Sequence, residues 1–417
     1  MARAGTAGRV DMLRRLLRYS DKVYGLWDMV GRITDRRRSP PNEAEDVFRC
    51  ILVMALLRLG SVHALSKHGK SRFWRRWVRN KVASGHTIRR TAAKSDCDTI
   101  RAAIQHLYAR RKRNKSLPPT WHGMSAVVFD GHEVVASTKT CCNQCCKRTL
   151  HTRRGDTTEY YHRVTVAMLV TGKAPLMLDV EIQRPGETEV AAAIRLLDRI
   201  CLAYPRAFDL VLADGLYAQA PFFKRVSAHG LHVLAVLKNE QRDLVKDVRG
   251  LCSMEPSTTV TGKRKVSEWW DFDGLTSWDS MDAPVRVVRS LETVSVRRHL
   301  TKEIETVTTD WLWVTTLPRD LAPTKAVVEL GHGRWAIENH GFNELVNEWH
   351  ADHVYTHDVN AIETFWLMTM FAYNLFHAFI ELNVKDALRR RYTLRIFAWL
   401  LLVEFLVTLP ELRCLSP

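Results

Sequence analysis

The chain has 417 residues, 46% hydrophobic and 26% charged, with 62 lysines and arginines against 45 aspartates and glutamates, a formal charge of +17. These are globular proportions, with length for two or three cores, and they exclude a disordered tail or a collagen. The first ten residues lead into charges rather than an apolar run, and the most apolar stretch, residues 364–380, holds Asn374 and His377 between Glu363 and Glu381. Secretion and membrane insertion are therefore not expected, and the reading is cytoplasmic.

Residues 11–30 and 43–59 carry helical apolar spacing. Pro40 and Pro41 precede the second stretch, and acidic residues occupy its first turn. Ser95 or Asp96 can cap a third helix running to about Arg113. The first 118 residues thus read as all-helical, ending at Pro118 and Pro119. The positive charge is concentrated here: the first 120 residues hold 28 basic and 9 acidic side chains, the remaining 297 hold 34 and 36. It is densest at residues 36–38, 72–79, 89–90 and 110–115, and Trp74 and Trp77 lie among arginines in RFWRRWVR. A solvated helix face needs no such excess. Neutralising the phosphates of double-stranded DNA, with base or sugar contact, is the expected use, and Arg75, Arg76, Arg111 and Arg113 are the foremost candidates; RNA or a membrane surface could use the same charge.

The texture then changes. Residues 126–129 form a short apolar run ending at Asp130-Gly131. Residues 161–170 and 176–182 are β-rich, 187–202 read as a helix, and 208–213 as a strand ending at Asp214-Gly215. A helix at 220–228 and a strand at 232–237 follow, which makes a mixed α/β layout. Residues 240–310 break the alternation as a β-rich insertion holding Trp269, Trp270 and Trp278. After a strand at 311–316 the chain turns helical through 334–347, 361–381 and 394–409. The expected division is a basic helical region (1–118), an α/β domain (119–239 and 311–360), the insertion (240–310) and C-terminal helices (361–417).

Asp130 and Asp214 each end an expected strand and each precede glycine. Singly, an Asp-Gly pair reads as a turn. Together, at the carboxyl ends of neighbouring strands, they offer a hard-oxygen site for Mg²⁺ or Mn²⁺. Glu338 is the third candidate; Arg334 stands four residues before it, on the same helix face, in Gly-Arg-Trp-Ala-Ile-Glu-Asn.

RWAIEN, followed by GFNEL and a histidine-rich stretch, resembles the glutamate motif of DDE transposases of bacterial insertion sequences, in the branch reading Tyr-x-x-Arg-x-x-x-Glu. FDGHE resembles the first-aspartate motif and ADGLYA the second. The aspartates are 84 residues apart and Asp214 and Glu338 are 124 apart, the longer interval having room for the β insertion of this branch. The resemblance covers about residues 124–379. It implies a ribonuclease-H-like sheet on which Asp130, Asp214 and Glu338 hold two Mg²⁺ ions, with Arg334 contacting DNA phosphate or steadying Glu338. It also implies binding of terminal inverted repeats, hydrolysis of the DNA ends, joining of 3′-hydroxyls to target DNA through a hairpin intermediate, and a homodimer on two DNA ends in the bacterial nucleoid. An aromatic of the insertion, Trp269, Trp270 or Trp278, would stack on a flipped base. Gly331 stands where the branch has tyrosine, and Leu345 and Val346 stand where it has lysine. The alternative on the same fold is a degenerate or repurposed DNA-binding copy that does not cut.

Cys141, Cys142, Cys145 and Cys146 crowd together as CCNQCC. Cys142-x-x-Cys145 has zinc-ligand spacing, and His151 or His162 could complete a tetrahedron, so Zn²⁺ and a free-thiol loop both stand; disulfides are not expected.

Overall fold

Seven helices precede the first strand of the computed structural model: α1 (Met12–Tyr24), α2 (Leu26–Gly31), α3 (Ala44–Leu56), α4 (Val62–Lys67), α5 (Arg72–Trp77), α6 (Gly85–Ala92) and α7 (Cys97–Arg113). The described residues are 11–38, 42–67, 72–77, 82–120, 123–153, 155–238, 242–262, 265–297, 303–337 and 341–407, with the side chains of 72, 75, 76 and 335–337 outside the description. The expected helix over 11–30 is two, because Gly25 at φ +73° takes the left-handed conformation that closes α1. Asp96, not Ser95, caps α7, its side chain accepting from the Asp98 amide. Ser95 is buried, its hydroxyl donating to the Ala92 carbonyl.

The α/β part follows as β1 (Ala126–Ser137), β2 (Cys146–Thr152), β3 (Gly155–Val170), β4 (Leu176–Ile182), α8 (Glu189–Ala203), β5 (Leu210–Ala213), a 3-10 turn (Gly215–Tyr217), α9 (Ala220–Ala228) and β6 (His232–Val236). Next come α10 (Asp243–Met254), β7 (Thr258–Thr261), β8 (Lys265–Leu275), β9 (Val285–Arg297), β10 (Ile304–Thr315), α11 (Thr324–Ile337), α12 (Asn343–Asn347), α13 (Val359–Asn383), α14 (Asp386–Arg391) and α15 (Leu394–Leu406). This mixed α/β chain, with helices at both ends, agrees with the ribonuclease-H-like class. The β-rich insertion is β7 to β10 plus one unexpected helix, α10, which buries Leu244, Val245 and Val248.

The chain divides into two compact units that cut across the four expected segments: Met1–Pro118, Gly131–Ala192 and His340–Pro417 form the first, and Pro119–Asp130 and Ala193–Asn339 the second. In the first, α13 is the central helix, buried from Thr364 through Ile380, and it packs against α1, α3, α6, α7 and β4. Its polar residues are engaged. The Asn374 amide accepts from the Met177 backbone N–H and donates to the Met177 carbonyl, both at 2.8 Å. Thr364 Oγ1 donates to Asn360 O at 2.7 Å. Buried polar groups need such partners, and among the described residues no helix is long and apolar enough to cross a membrane. Strand β3 pairs antiparallel with β2 through residues 155–161 and with β4 through 164–169.

In the second unit the strand order is β1-β5-β6-β10-β9-β8-β7. β1, β5 and β6 are parallel, whereas β10 and the insertion strands run antiparallel to their neighbours. Helix α11 packs on β5, β6 and β9. Its first residue is anchored to the sheet: Asp271 on β8 accepts from Thr324 Oγ1 at 2.6 Å and from both Nε and Nη2 of Arg286 on β9. Arg286 is buried and also donates to the carbonyls of Leu317 and Ala322. Burial alone would raise the Asp271 carboxyl, but these donors and the Arg286 and Arg319 charges hold it below the usual carboxylate range.

Candidate active site

The two aspartates are brought together by strand register. β1 and β5 are parallel, with Ala126 opposite Leu210, Val127 opposite Val211 and Val128 opposite Leu212. The offset is 84 residues throughout, the same interval that separates Asp130 from Asp214. Carried two residues further, the register sets the two carboxylates at one level on adjacent strands, whose backbones lie about 4.8 Å apart. Both residues are half-buried.

One expectation is corrected here: β1 does not end at Asp130 but runs through Gly131 to Ser137. The valines that follow the Asp-Gly pair continue the strand and override its turn tendency. β5 does end as expected, and Asp214 caps the 3-10 turn, its Oδ1 accepting from the Leu216 amide at 2.8 Å. Arg242 steadies the same turn by donating to the Ala218 carbonyl at 2.6 Å.

Glu338 lies outside the described residues. The helix that leads to it, α11, ends at Ile337 on the same unit and carries Arg334, buried in its last turn. Gly331, where the resemblance expects tyrosine, faces the indole of Trp313 on β10. A Cβ at residue 331 would come within 2.3 Å of Trp313 Cε2 and 2.4 Å of Nε1. Trp313 is fully buried, stacks on Trp311 at 5.9 Å, and meets the His332 ring edge-on. His332 also contacts Glu292 through Nε2 at 2.8 Å. Burial works to raise Glu292, but hydrogen bonds from Lys265, His332 and Ser290 outweigh it and hold the carboxyl low. His332 is thus a packing residue of the α11–sheet contact.

The motif lysine is absent and Leu345 is fully buried on α12. The neighbouring GFNEL glutamate, Glu344, lies within 3.1 Å of His377 Nε2 and accepts from Trp349 Nε1 and Arg58. A different lysine stands beside Asp214. Lys238, exposed two residues past the end of β6, lays its stem over Gly215, where a Cβ would come within 3.0 Å of Lys238 Cδ. Sequence reasoning missed it, although it ends the apolar run of the third parallel strand. A cavity of about 520 Å³ lies at the opposite ends of these strands, lined by Met124, Asp209, His232 and their neighbours, where strand-end chemistry does not gather.

The expected DNA contacts divide. The side chains of Arg75 and Arg76 lie outside the described residues. Arg113 is exposed at the end of α7. Arg111 is corrected: it is fully buried, donating to the carbonyls of Ala174 at 2.8 Å and Ser116 at 3.2 Å, and burial pushes its guanidinium down to about 10. Trp74 and Trp77 are also corrected. Both are buried, Trp74 against Phe405 and Trp77 against Trp27, because alternate arginines of α5 leave an apolar helix face. Trp269 and Trp270 are half-buried on β8. Trp270 donates to the Glu255 carbonyl and carries the Arg289 guanidinium 4.8 Å from its ring centre. Trp278 meets Phe223 edge-on.

The all-cysteine metal set is corrected too. Cys141 is exposed, and the Cys146 thiol faces the carbonyls of Gln183 and Arg184. His151 is exposed beside Asp156. Cys142 and Cys145 converge instead with His162 on β3 and with His357, which precedes α13; one donor atom from each lies within 4.8 Å of the others. His357 was not anticipated, since 212 residues separate it from Cys145.

A family model described as "Transposase DDE domain" matches residues 121–375. Among solved structures, the cryo-EM structure of piggyBac transposase in a synaptic complex with hairpin DNA is similar at a TM-score of 0.44 and 11% identity, over 98% of this chain and 81% of that one. No curated protein matches the chain. The family match spans well over half of the sequence and includes Asp130, Asp214 and the RWAIEN segment, and so the chain belongs to the DDE-domain transposases.

Proposed function

We propose that this transposase binds the terminal inverted repeats of its mobile element, hydrolyses the DNA ends and joins the resulting 3′-hydroxyls to target DNA. The observation that carries the reading is the common level of Asp130 and Asp214 on adjacent parallel strands, with α11 delivering Glu338 from the same unit. Three carboxylates are the hard-oxygen donors that suit Mg²⁺ or Mn²⁺, and Asp130, Asp214 and Glu338 are the residues that would hold two such ions. Bound there, the ions would activate the attacking oxygen and stabilise the leaving one. The protein's part is to fix the carboxylates: Asp130 by the strand ladder, Asp214 by its capping bond, Glu338 by the anchored helix.

Lys238 is exposed beside Asp214 and supplies the positive charge that Leu345 cannot, so we assign it the phosphate next to the cleavage point. Arg334, being buried, steadies the end of α11 rather than reaching solvent. Arg75, Arg76 and Arg113 of the basic region bind the DNA backbone, Trp269 or Trp270 stacks on an unpaired base, and a homodimer holds two ends.

The test is a plasmid carrying the coding sequence with its flanking DNA, incubated with the protein and Mg²⁺. Wild type cuts at the element's edges, and Asp130→Asn and Asp214→Asn bind the same DNA without cutting. Lys238→Ala lowers the dependence of log affinity on log salt by about 1. Binding without cutting by the wild type would establish the non-cleaving copy instead; equal cutting by Asp130→Asn would reject the assigned site.

A further inference from the structure

We propose that Cys142, Cys145, His162 and His357 bind one Zn²⁺ as a closed structural site, separate from the carboxylates. The cysteines lie on the loop between β1 and β2, His162 on β3, and His357 just before the Asp358 cap of α13. The Sγ atoms are 3.6 Å apart, too far for a disulfide. His162 Nε2 is 3.4 Å from each sulfur, and His357 Nε2 is 3.2 Å from Cys145 Sγ and 3.2 Å from His162 Nε2.

Tetrahedral zinc at its usual bond lengths sets sulfurs about 3.8 Å apart, sulfur and nitrogen about 3.6 Å, and nitrogens about 3.4 Å. The five separations fall within a few tenths of an ångström of these values. The cysteine turn is prepared in the same way: the Cys145 amide donates to the Cys142 carbonyl and the Cys142 amide to Cys145 Sγ, both at 3.2 Å. Such hydrogen bonds to a ligating sulfur orient it and stabilise its negative charge.

Binding converts both thiols to thiolates and releases their protons. Two thiolates neutralise the ion's charge, which makes a site with Cys145 and His162 buried tolerable. Soft sulfur and imidazole select zinc over magnesium. Four protein ligands leave no open position for catalysis, so the ion's role is to staple a 137–146 loop, a strand and the start of the core helix within one unit.

The test is elemental analysis of the full-length protein produced in zinc-supplemented medium, with melting recorded beside it. One zinc per chain is expected, lost in Cys142→Ser, Cys145→Ser and His357→Ala, and kept in Cys141→Ser, Cys146→Ser and Asp130→Asn. A strong chelator should lower the melting temperature, and Zn²⁺ but not Mg²⁺ should restore it. Cobalt in place of zinc should show thiolate charge-transfer bands and the visible absorption of a tetrahedral ion. Wild-type protein that holds no zinc and develops no cobalt bands would overturn the proposal whether or not the variants fold. So would zinc that persists in His357→Ala but leaves with Cys141 and Cys146. Because zinc content is read without DNA, a failed cleavage assay would leave this result untouched.

Discussion

Replacing Gly331 by alanine tests the packing that orients α11. In a helix interior the exchange should gain about 1 kcal/mol, since glycine is the costlier residue there. Here the added Cβ would lie 2.3 Å from a carbon of a fully buried indole. Trp313 cannot swing away, being stacked on Trp311 and flanked by His332. Overpacking of this kind costs about 1–3 kcal/mol, so Gly331→Ala should destabilise by up to about 2 kcal/mol net. In a Trp313→Phe background the obstructing atoms are gone and the same exchange should stabilise by about 1 kcal/mol, leaving the helix gain alone. Urea denaturation of all four proteins, followed by circular dichroism, reads the sign in each background. A Gly331→Ala midpoint that rises in the wild type, or shifts equally in both backgrounds, would refute the assignment of the glycine to the Trp313 contact.

Arg111→Ala should lower stability by about 1–3 kcal/mol by leaving buried carbonyls unmet, without altering the salt dependence of DNA binding; Arg113→Ala should keep stability and reduce that slope by about 0.9. Thermal melting and affinity titrations at several salt concentrations separate the two. Asp271 is held below the usual carboxylate range, so its contribution is fully present above the unfolded pKa and is lost as pH falls through the folded one. Asp271→Asn should therefore cost about 3 kcal/mol at neutral pH and flatten the acid limb of a stability–pH profile, read by denaturant midpoints from neutral pH downward.

Where a signal was local, it was legible. The Asp96 cap, the Leu210–Ala213 strand ending at Asp214 and the Ala220–Ala228 helix lie where apolar spacing and capping place them. The 84-residue interval could not be interpreted without the β1–β5 register, which turns it into a shared level. The continuation of β1 past Asp130 was hidden because a turn-forming pair sits inside a strand. α10 was hidden because its buried face is only Leu244, Val245 and Val248 in an otherwise polar stretch. Arg111, Trp74 and Trp77 misled because composition reports charge and aromatic content, not direction: a helix with one basic face turns its other residues into the core. His357 and Trp313 depend on which distant elements meet, and that information does not reside in the spacing of any motif.

The amide of Asn374 occupies Met177 the way a neighbouring peptide group would, meeting both its N–H and its C=O. An unpaired strand margin invites accretion of foreign strands, in aggregation as in deliberate assembly. At Met177 that invitation is already answered from within, by a side chain on the most buried helix of its unit. Two copies gathered on DNA would find no backbone to zip together at this point, and their association would have to be built from side chains or from the nucleic acid itself.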